Sequence, residues 1–266
     1  MHTEISPHRI RQIIIEQSKR AHVGHIGSAL SIVEIIVALY RDVLSVDDPL
    51  DPERDRFILS KGHAALALYS ALYLRGWITE EALNSYCGDA SRLGVHPEHA
   101  LNGVDFSVGS LGQGLSFGAG NALAARLRGS SRRVFVLVSD AECNEGALWE
   151  AAMFAAHHRL SNLTAILDLN GQQAFGFTAE VLSLPNMSER WRAFGWDVYE
   201  VDGHDVAALT DAMKETEDGD GRPRIVIART TFGKGVSYME GQIKWHYYPM
   251  SEQEYTEALE EIGKSA

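Results

Sequence analysis

At 266 residues, 45% hydrophobic and 23% charged, the chain has the composition of an ordinary globular protein long enough to bury a sizeable core. Its formal net charge of −12 argues against wrapping nucleic acid, and Arg126, Arg128, Arg132 and Arg133 are too few to make a basic patch. No apolar run approaches the roughly 20 residues of a membrane-spanning helix, and Met1-His2-Thr3-Glu4 lacks the pattern of a signal peptide.

Ser6-Pro7 opens the first predicted helix, since Ser is a good N-cap and Pro suits the first helical position. Ile10, Ile13 and Ile14 then fall on one face. A Gly-rich turn, Gly24-His25-Ile26-Gly27, precedes Ser31-Ile32-Val33-Glu34, which reads as a capping box starting a second helix. Asp47 to Asp55, with two prolines, is a loop. Phe57-Ile58-Leu59-Ser60 reads as a buried strand ending at Lys61-Gly62-His63. A helix from Ala64 to Leu74 follows, and Thr79-Glu80-Glu81 caps the next. Beyond residue 131 strands and helices alternate: Val134–Val138 strand, Gly146–His158 helix, Leu163–Leu169 strand, Ser188–Phe194 helix. Val198–Val201 strand, Asp205–Glu215 helix and Ile225–Ala228 strand complete the series, with Glu217 to Arg222 as a polar turn. Strands this apolar, alternating with helices, predict one α/β domain over residues 1–266, a mostly parallel sheet with helices on both faces.

In such sheets ligands bind at the carboxyl ends of the strands. That rule selects Lys61-Gly62-His63, Ser139-Asp140-Ala141-Glu142, Asn170-Gly171-Gln172 and Thr230-Thr231-Phe232-Gly233. Asp140 and Asn170 each follow a strand, so neighbouring strand ends would bring a carboxylate and an amide oxygen together. A hard cation such as Mg²⁺ wants about six oxygens, commonly shared among protein, water and phosphate. The plainer alternative is that Asp140 caps a helix and Asn170 makes a turn. Cys87 and Cys143 stand in no metal-ligand spacing and fit a reducing cytoplasm. Gly109-xx-Gly112-x-Gly114 lacks dinucleotide spacing, and Phe232-Gly233-Lys234-Gly235 is no Walker motif.

Ser139-Asp140-Ala141-Glu142, Glu145-Gly146-Ala147-Leu148-Trp149-Glu150 and Asp168-Leu169-Asn170-Gly171 together resemble the thiamine-diphosphate motif of transketolases. Gly24-His25-Ile26-Gly27-Ser28, Leu59-Ser60-Lys61-Gly62-His63-Ala64, His96-Pro97-Glu98 and Gly109-Ser110-Leu111-Gly112-Gln113-Gly114 look like further signatures of that family in its order. Phe194-Gly195-Trp196, Val201-Asp202-Gly203-His204-Asp205 and Trp245-His246 continue the likeness over nearly the whole chain. It covers only the diphosphate-binding first domain, so the chain resembles the N-terminal subunit of a split transketolase.

The resemblance implies thiamine diphosphate held through Mg²⁺, or another divalent cation such as Ca²⁺, by Asp140, Asn170 and the main-chain carbonyl of Gln172. His63, Gly109, Ser110, Leu111, Ala141, Glu142 and His246 would contact the cofactor together with Asp140 and Asn170. His25, His63, His96 and His246 would line the reacting centre, where histidine can move protons near neutrality. Glu145 matches a carboxylate at the family's dimer contact; otherwise it is a solvated helix residue. His2, His8, His99, His157 and His158 read as surface or satisfied residues, and His204 as structural. The implied partner is a C-terminal subunit carrying the pyrimidine-binding domain, in a heterotetramer of two pairs, acting on a small sugar or sugar-like substrate. The rivals are a component of another thiamine-dependent synthase or 2-oxo acid decarboxylase, and a non-catalytic subunit with a degenerate motif.

The sequence also departs from the family pattern. Ser139 and Ala141 replace two glycines, and at position 141 the change removes access to positive φ and adds a methyl group. Gln172, Ala174 and Phe175 stand where the family has apolar residues against the thiazolium, and Tyr247 follows His246 where Gly is usual.

Overall fold

In the computed structural model, which describes residues 4–214 and 221–264, helix α1 (Pro7–Ala21) starts where Ser6-Pro7 predicts. Ser6 Oγ accepts the Arg9 N–H, and His22 closes the helix in the left-handed conformation. Most of the predicted Glu217–Arg222 turn, the end of the helix predicted to reach Glu215, and His2 lie outside the described residues.

The capping box does not survive. Helix α2 (Ile26–Ser31) already includes Gly27 and Ser31, and α3 (Val33–Val37) follows and runs into a π-helical turn, Ala38–Val43. Ser31 cannot cap because its hydroxyl donates to Asp168 Oδ1 at 2.8 Å, while Glu34 is engaged by Arg11 at 2.6 Å and His204 at 3.0 Å. A tertiary partner prevails over the local one at both positions.

Strand β1 (Arg56–Leu59) leads through a 3₁₀ turn, Gly62–Ala64, into α4 (Ala65–Leu74) and then α5 (Glu80–Asn84), capped by Thr79. Helix α6 (Gly114–Leu127) follows, unforeseen from its Gly-rich start. Strand β2 (Val134–Ser139), a 3₁₀ turn over Ala141–Asn144, α7 (Gly146–His157) and β3 (Leu163–Leu169) come next. A small hairpin, β4 (Gln172–Gln173) and β5 (Gly176–Phe177), precedes α8 (Thr178–Val181) and α9 (Met187–Ala193). Strand β6 (Asp197–Asp202), α10 (Val206–Lys214), β7 (Arg224–Arg229), α11 (Lys244–Tyr247) and α12 (Glu252–Lys264) complete the order.

The main sheet is fully parallel, in the order β1-β2-β3-β7-β6. Period-two alternation sends Phe57, Leu59, Phe135, Leu137, Ile166 and Val226 into one apolar core with α1 to α4, α10 and α12. Ile58, Val134, Val136, Val138, Leu167 and Ile227 enter the other with α6, α7 and α9. With both faces covered, the near-continuous apolar strands are accounted for. Among the described residues no helix is long and apolar enough to cross a membrane.

From β1 the chain departs to α4 on the first face, and from β2 to α7 on the second. That divergence opens a crevice at the carboxyl edge of the sheet. The candidate residues gather there.

Candidate active site

A cavity of about 620 Å³ occupies this crevice, walled by residues from the ends of β1, β2 and β3 and by His25, His96 and His246. Three imidazoles pack against one another. Ring centroids of His25 and His63 lie 5.5 Å apart, of His25 and His246 5.0 Å, and of His63 and His246 5.4 Å. Each arrives from a different segment. His25 sits in the left-handed region (φ 60°) just before α2, and its N–H donates to the His246 carbonyl at 3.1 Å. His63 lies in the 3₁₀ turn after β1, and His246 in the short α11. His96 completes the wall: Cβ atoms built at Gly62 and Gly109 would come within 3.2 and 3.4 Å of its ring.

Burial, acting first, lowers the pKa of all four histidines. For His25 the charges of His96 and Lys61 add to it; His63 is held well below its ordinary range by burial and then Lys61. His246 is lowered to about 4 by burial, His25 and Lys61, whereas Glu98 partly opposes the shift at His96. The cluster is therefore neutral at pH 7 and can both accept and donate hydrogen bonds. The Nδ1 of His25 is buried without a hydrogen-bond partner.

Asp140 and Asn170 stand at the ends of the paired strands β2 and β3. Asp140 is buried, and its Oδ2 accepts from Gly171 N at 2.8 Å and Thr178 Oγ1 at 3.0 Å. Burial first, then the nearby Asp168, pushes its pKa up to about 6. Asn170 is oriented from both ends: Nδ2 donates to Asp168 Oδ2 at 3.0 Å and to Ser31 Oγ at 3.2 Å, while Oδ1 accepts Gln172 N at 2.9 Å. Gln172 begins the hairpin, and its side-chain Oε1 is buried with no partner.

Beneath these groups lies a pair for which sequence reasoning finds no role. Lys61 and Asp168 form a fully buried ion pair. Asp168 Oδ1 also accepts from Ser31 and Thr230. The only sequence signal for it is that both residues fall at or just past strand ends.

Other expected residues distribute unevenly. Gly109, Leu111, Ala141 and Glu145 line the cavity; Glu145 is exposed and occupies the N-cap position of α7 without a capping bond. Ser110 is exposed and does not line it. Glu142, expected at the cofactor, points elsewhere. Its carboxylate is buried and accepts from Ser60 Oγ, Gly112 N and Ser139 N, so it ties β1 and the Gly112 turn to β2. Ala141 is not among the residues with positive φ, so an alanine fits there without backbone strain. His204 is structural as expected, accepting Thr231 N at 2.8 Å and contacting Glu34.

Residues 3–265 match the family described as the transketolase thiamine diphosphate binding domain. The chain belongs to the transketolase family, as its thiamine-diphosphate-binding part. Relatives whose names describe them as transketolase subunits match it over nearly the whole length of both chains. It is 39% identical to an apulose-4-phosphate transketolase subunit of Phocaeicola vulgatus, covering 98% of this chain and 94% of that one. It is 38% identical to the 6-deoxy-6-sulfo-D-fructose transketolase subunit SqwG of a Clostridium species, over 96% of this chain and 94% of the other. The solved transketolase of Leishmania mexicana superposes with a TM-score of 0.90 at 28% identity, over 99% of this chain. The chain spans about two fifths of that structure, 42% of its length.

Proposed function

We propose that this chain binds the diphosphate of thiamine diphosphate through a divalent cation, Mg²⁺ or Ca²⁺. With a partner subunit it then transfers a two-carbon ketol unit from a ketose donor to an aldehyde acceptor. The observation that carries this reading is the meeting, in one cavity, of Asn170 and of Ser139 and Ala141, which flank the buried Asp140, with a cluster of neutral histidines.

The residues fit the cation. Asp140, Asn170 Oδ1 and the Gln172 carbonyl are hard oxygen donors, and three protein ligands leave positions for phosphate and water. A buried carboxylate with a raised pKa gains from a cation beside it.

When bound, thiamine diphosphate supplies the carbanion equivalent that ketol transfer needs. This chain's own work is to hold and move protons. His25, His63, His96 and His246 present neutral imidazoles where the hydroxyl and carbonyl oxygens of a sugar would lie, able to donate or accept as each oxygen changes charge. Gly109 and Leu111 offer main chain to the cofactor. Glu145 stands at the rim, where a second protomer could meet it.

The partner would carry the pyrimidine-binding domain, and two such pairs would close as a two-fold heterotetramer. The substrate is a small sugar or sugar-like molecule, in line with the relatives named for apulose 4-phosphate and 6-deoxy-6-sulfo-D-fructose. Both cysteines are free thiols, consistent with a reducing cytoplasm. Residues 1–266 act as one domain in this reading. The histidine cluster favours ketol transfer over the synthase and decarboxylase alternatives, and Ala141 needs no positive φ, so its backbone gives no support to the degenerate-motif alternative.

The test is to co-purify the chain with its partner and measure ketol transfer with and without thiamine diphosphate and Mg²⁺. Activity that disappears on EDTA treatment and returns with Mg²⁺ is expected. A complex inactive on every ketose–aldehyde pair tried, though it binds cofactor, would favour another thiamine-dependent reaction.

A further inference from the structure

Tyr247 joins three segments that the chain otherwise leaves far apart. Its main chain lies against Gly24, where an added Cβ would sit 2.5 Å from the Tyr247 carbonyl oxygen. The His25 N–H holds the preceding carbonyl, that of His246. The Tyr247 ring packs at 5.1 Å from His246, and its hydroxyl donates to the main-chain carbonyl of Ala174, at the tip of the β4–β5 hairpin. The side chain thus reaches from the histidine cluster to the opposite rim of the cavity.

The hairpin needs such an anchor. Only two residue pairs make its ladder, Gln172↔Phe177 and Gln173↔Gly176. Ladders this short are marginal in water without outside support. The rest of its support comes from its flanks: Gln172 N on Asn170 Oδ1, Gln173 Nε2 on Asn144 Oδ1 at 2.8 Å, and Thr178 N on Gly171 O. None of these reaches the tip, where Ala174 and the 86%-exposed Phe175 border the cavity together with Val181 and Leu182.

We propose that Tyr247 is a positioning residue that straps the hairpin tip across the cavity mouth. It thereby fixes Phe175 as a specificity-determining wall against the carbon chain of the substrate. The wall is apolar: Ala174, Phe175, Val181 and Leu182 offer no side-chain charge. Among the described residues Lys61 is the one Lys or Arg lining the cavity, and it is already paired with Asp168. The part of the substrate passing under this rim is therefore uncharged, and its length is limited by the strap. This inference rests on the ketol-transfer reading for its substrate, but not for the strap itself.

Two measurements separate the two. Hydrogen exchange on the full-length chain reads the strap without any activity: Tyr247→Phe, which keeps the ring and removes the hydroxyl, should speed exchange of the 172–177 amides about three- to tenfold, the worth of one hydrogen bond. Unchanged exchange there overturns the strap. In the complex with the partner subunit, Tyr247→Phe, Tyr247→Gly and Phe175→Ala are compared with wild type on glycolaldehyde and on longer aldose acceptors. Each variant should narrow the difference in KM between short and long acceptors by about threefold or more, a ratio that a uniform loss of complex or of cofactor would leave unchanged. An unchanged KM ratio in Phe175→Ala overturns the specificity role. Faster exchange in a complex whose wild type transfers no ketol unit would leave the strap standing and remove the substrate reading.

Discussion

Lys61 and Asp168 form an ion pair with neither side chain more than 1% exposed, although 107 positions separate them in the chain. It joins the end of β1 to the end of β3 beneath the cavity, and the same carboxylate orients the Asn170 amide. Burying two charges gains little against an apolar core, but removing one alone leaves the other uncompensated. Lys61→Met should therefore destabilise the chain by about 3–5 kcal/mol, read by urea unfolding. The double variant Lys61→Met/Asp168→Leu should recover part of that loss. A single variant as stable as wild type would mean that water reaches the Asp168 carboxylate.

The cation site gives a second prediction. Asp140→Ala removes the one charged candidate ligand, and thiamine diphosphate affinity measured by calorimetry in Mg²⁺ should fall by at least about tenfold, as losses of metal-site partners do. Asp140→Asn, keeping the shape and one oxygen, should lose less. Undiminished affinity in both would remove Asp140 from the site.

How much of this can be read before the fold is known differs sharply between residues. Asp140 and Asn170 are legible because a strand end is a local signal, written as an apolar run followed by a polar turn. Lys61 and Asp168 are not, since only the pairing of β1, β2 and β3 brings them together. The capping box at Ser31 misleads because the local rule ignores a buried carboxylate that claims the hydroxyl. Helix α6 stays hidden for a related reason. Gly114 and Gly118 suggest a loop, yet each is small to let the helix approach the sheet: a Cβ at Gly114 would overlap Ser60, and one at Gly118 would overlap Val136. Glycines that serve packing and glycines that serve turns look alike in a sequence.

Stability should depend on pH through the histidines. An unfolded His246 titrates near 6.5 and the folded one at about 4. Between those values the unfolded chain binds a proton that the folded chain refuses, so stability is full above about pH 6.5 and falls as pH drops toward 4. His25 and His63 are shifted the same way. Thermal unfolding of wild type and His246→Asn at about pH 7.5 and pH 5 checks this. The variant should lose less of its melting temperature on acidification; equal losses would place the proton elsewhere.

The same imidazoles should separate chemistry from binding. If His25 and His96 handle substrate protons, replacing either with Ala should lower kcat by about 10²–10⁴, the usual worth of general acid–base catalysis. Thiamine diphosphate affinity should change little, because neither is needed to hold the diphosphate. His63→Ala should affect both, since His63 lies between the other histidines and the end of β1. Wild-type turnover in the His25 and His96 variants would reduce them to cavity walls.

The last prediction concerns the face beside the cavity. Phe175, Phe177 and Leu182 and the tyrosines Tyr247 and Tyr248 are all more than half exposed, and they belong to the hairpin, the segment after it and the end of α11. Apolar side chains gathered in this way, rather than scattered singly, mark an interaction surface. In the proposed split-enzyme reading, this exposed rim beside the cavity is the face offered to the partner. Placing a charge at its centre with Leu182→Asp should abolish both ketol transfer and co-purification with the partner, because an unpaired carboxylate would be buried in the contact. The fold should tolerate it, since Leu182 is already 55% exposed. Leu127 supplies the control: it is 78% exposed but ends α6, next to the start of β2, at the sheet edge opposite the cavity. Leu127→Asp should leave complex formation and turnover unchanged. If instead Leu127→Asp disrupts the complex and Leu182→Asp does not, the partner docks on the amino edge and the exposed rim serves the substrate alone.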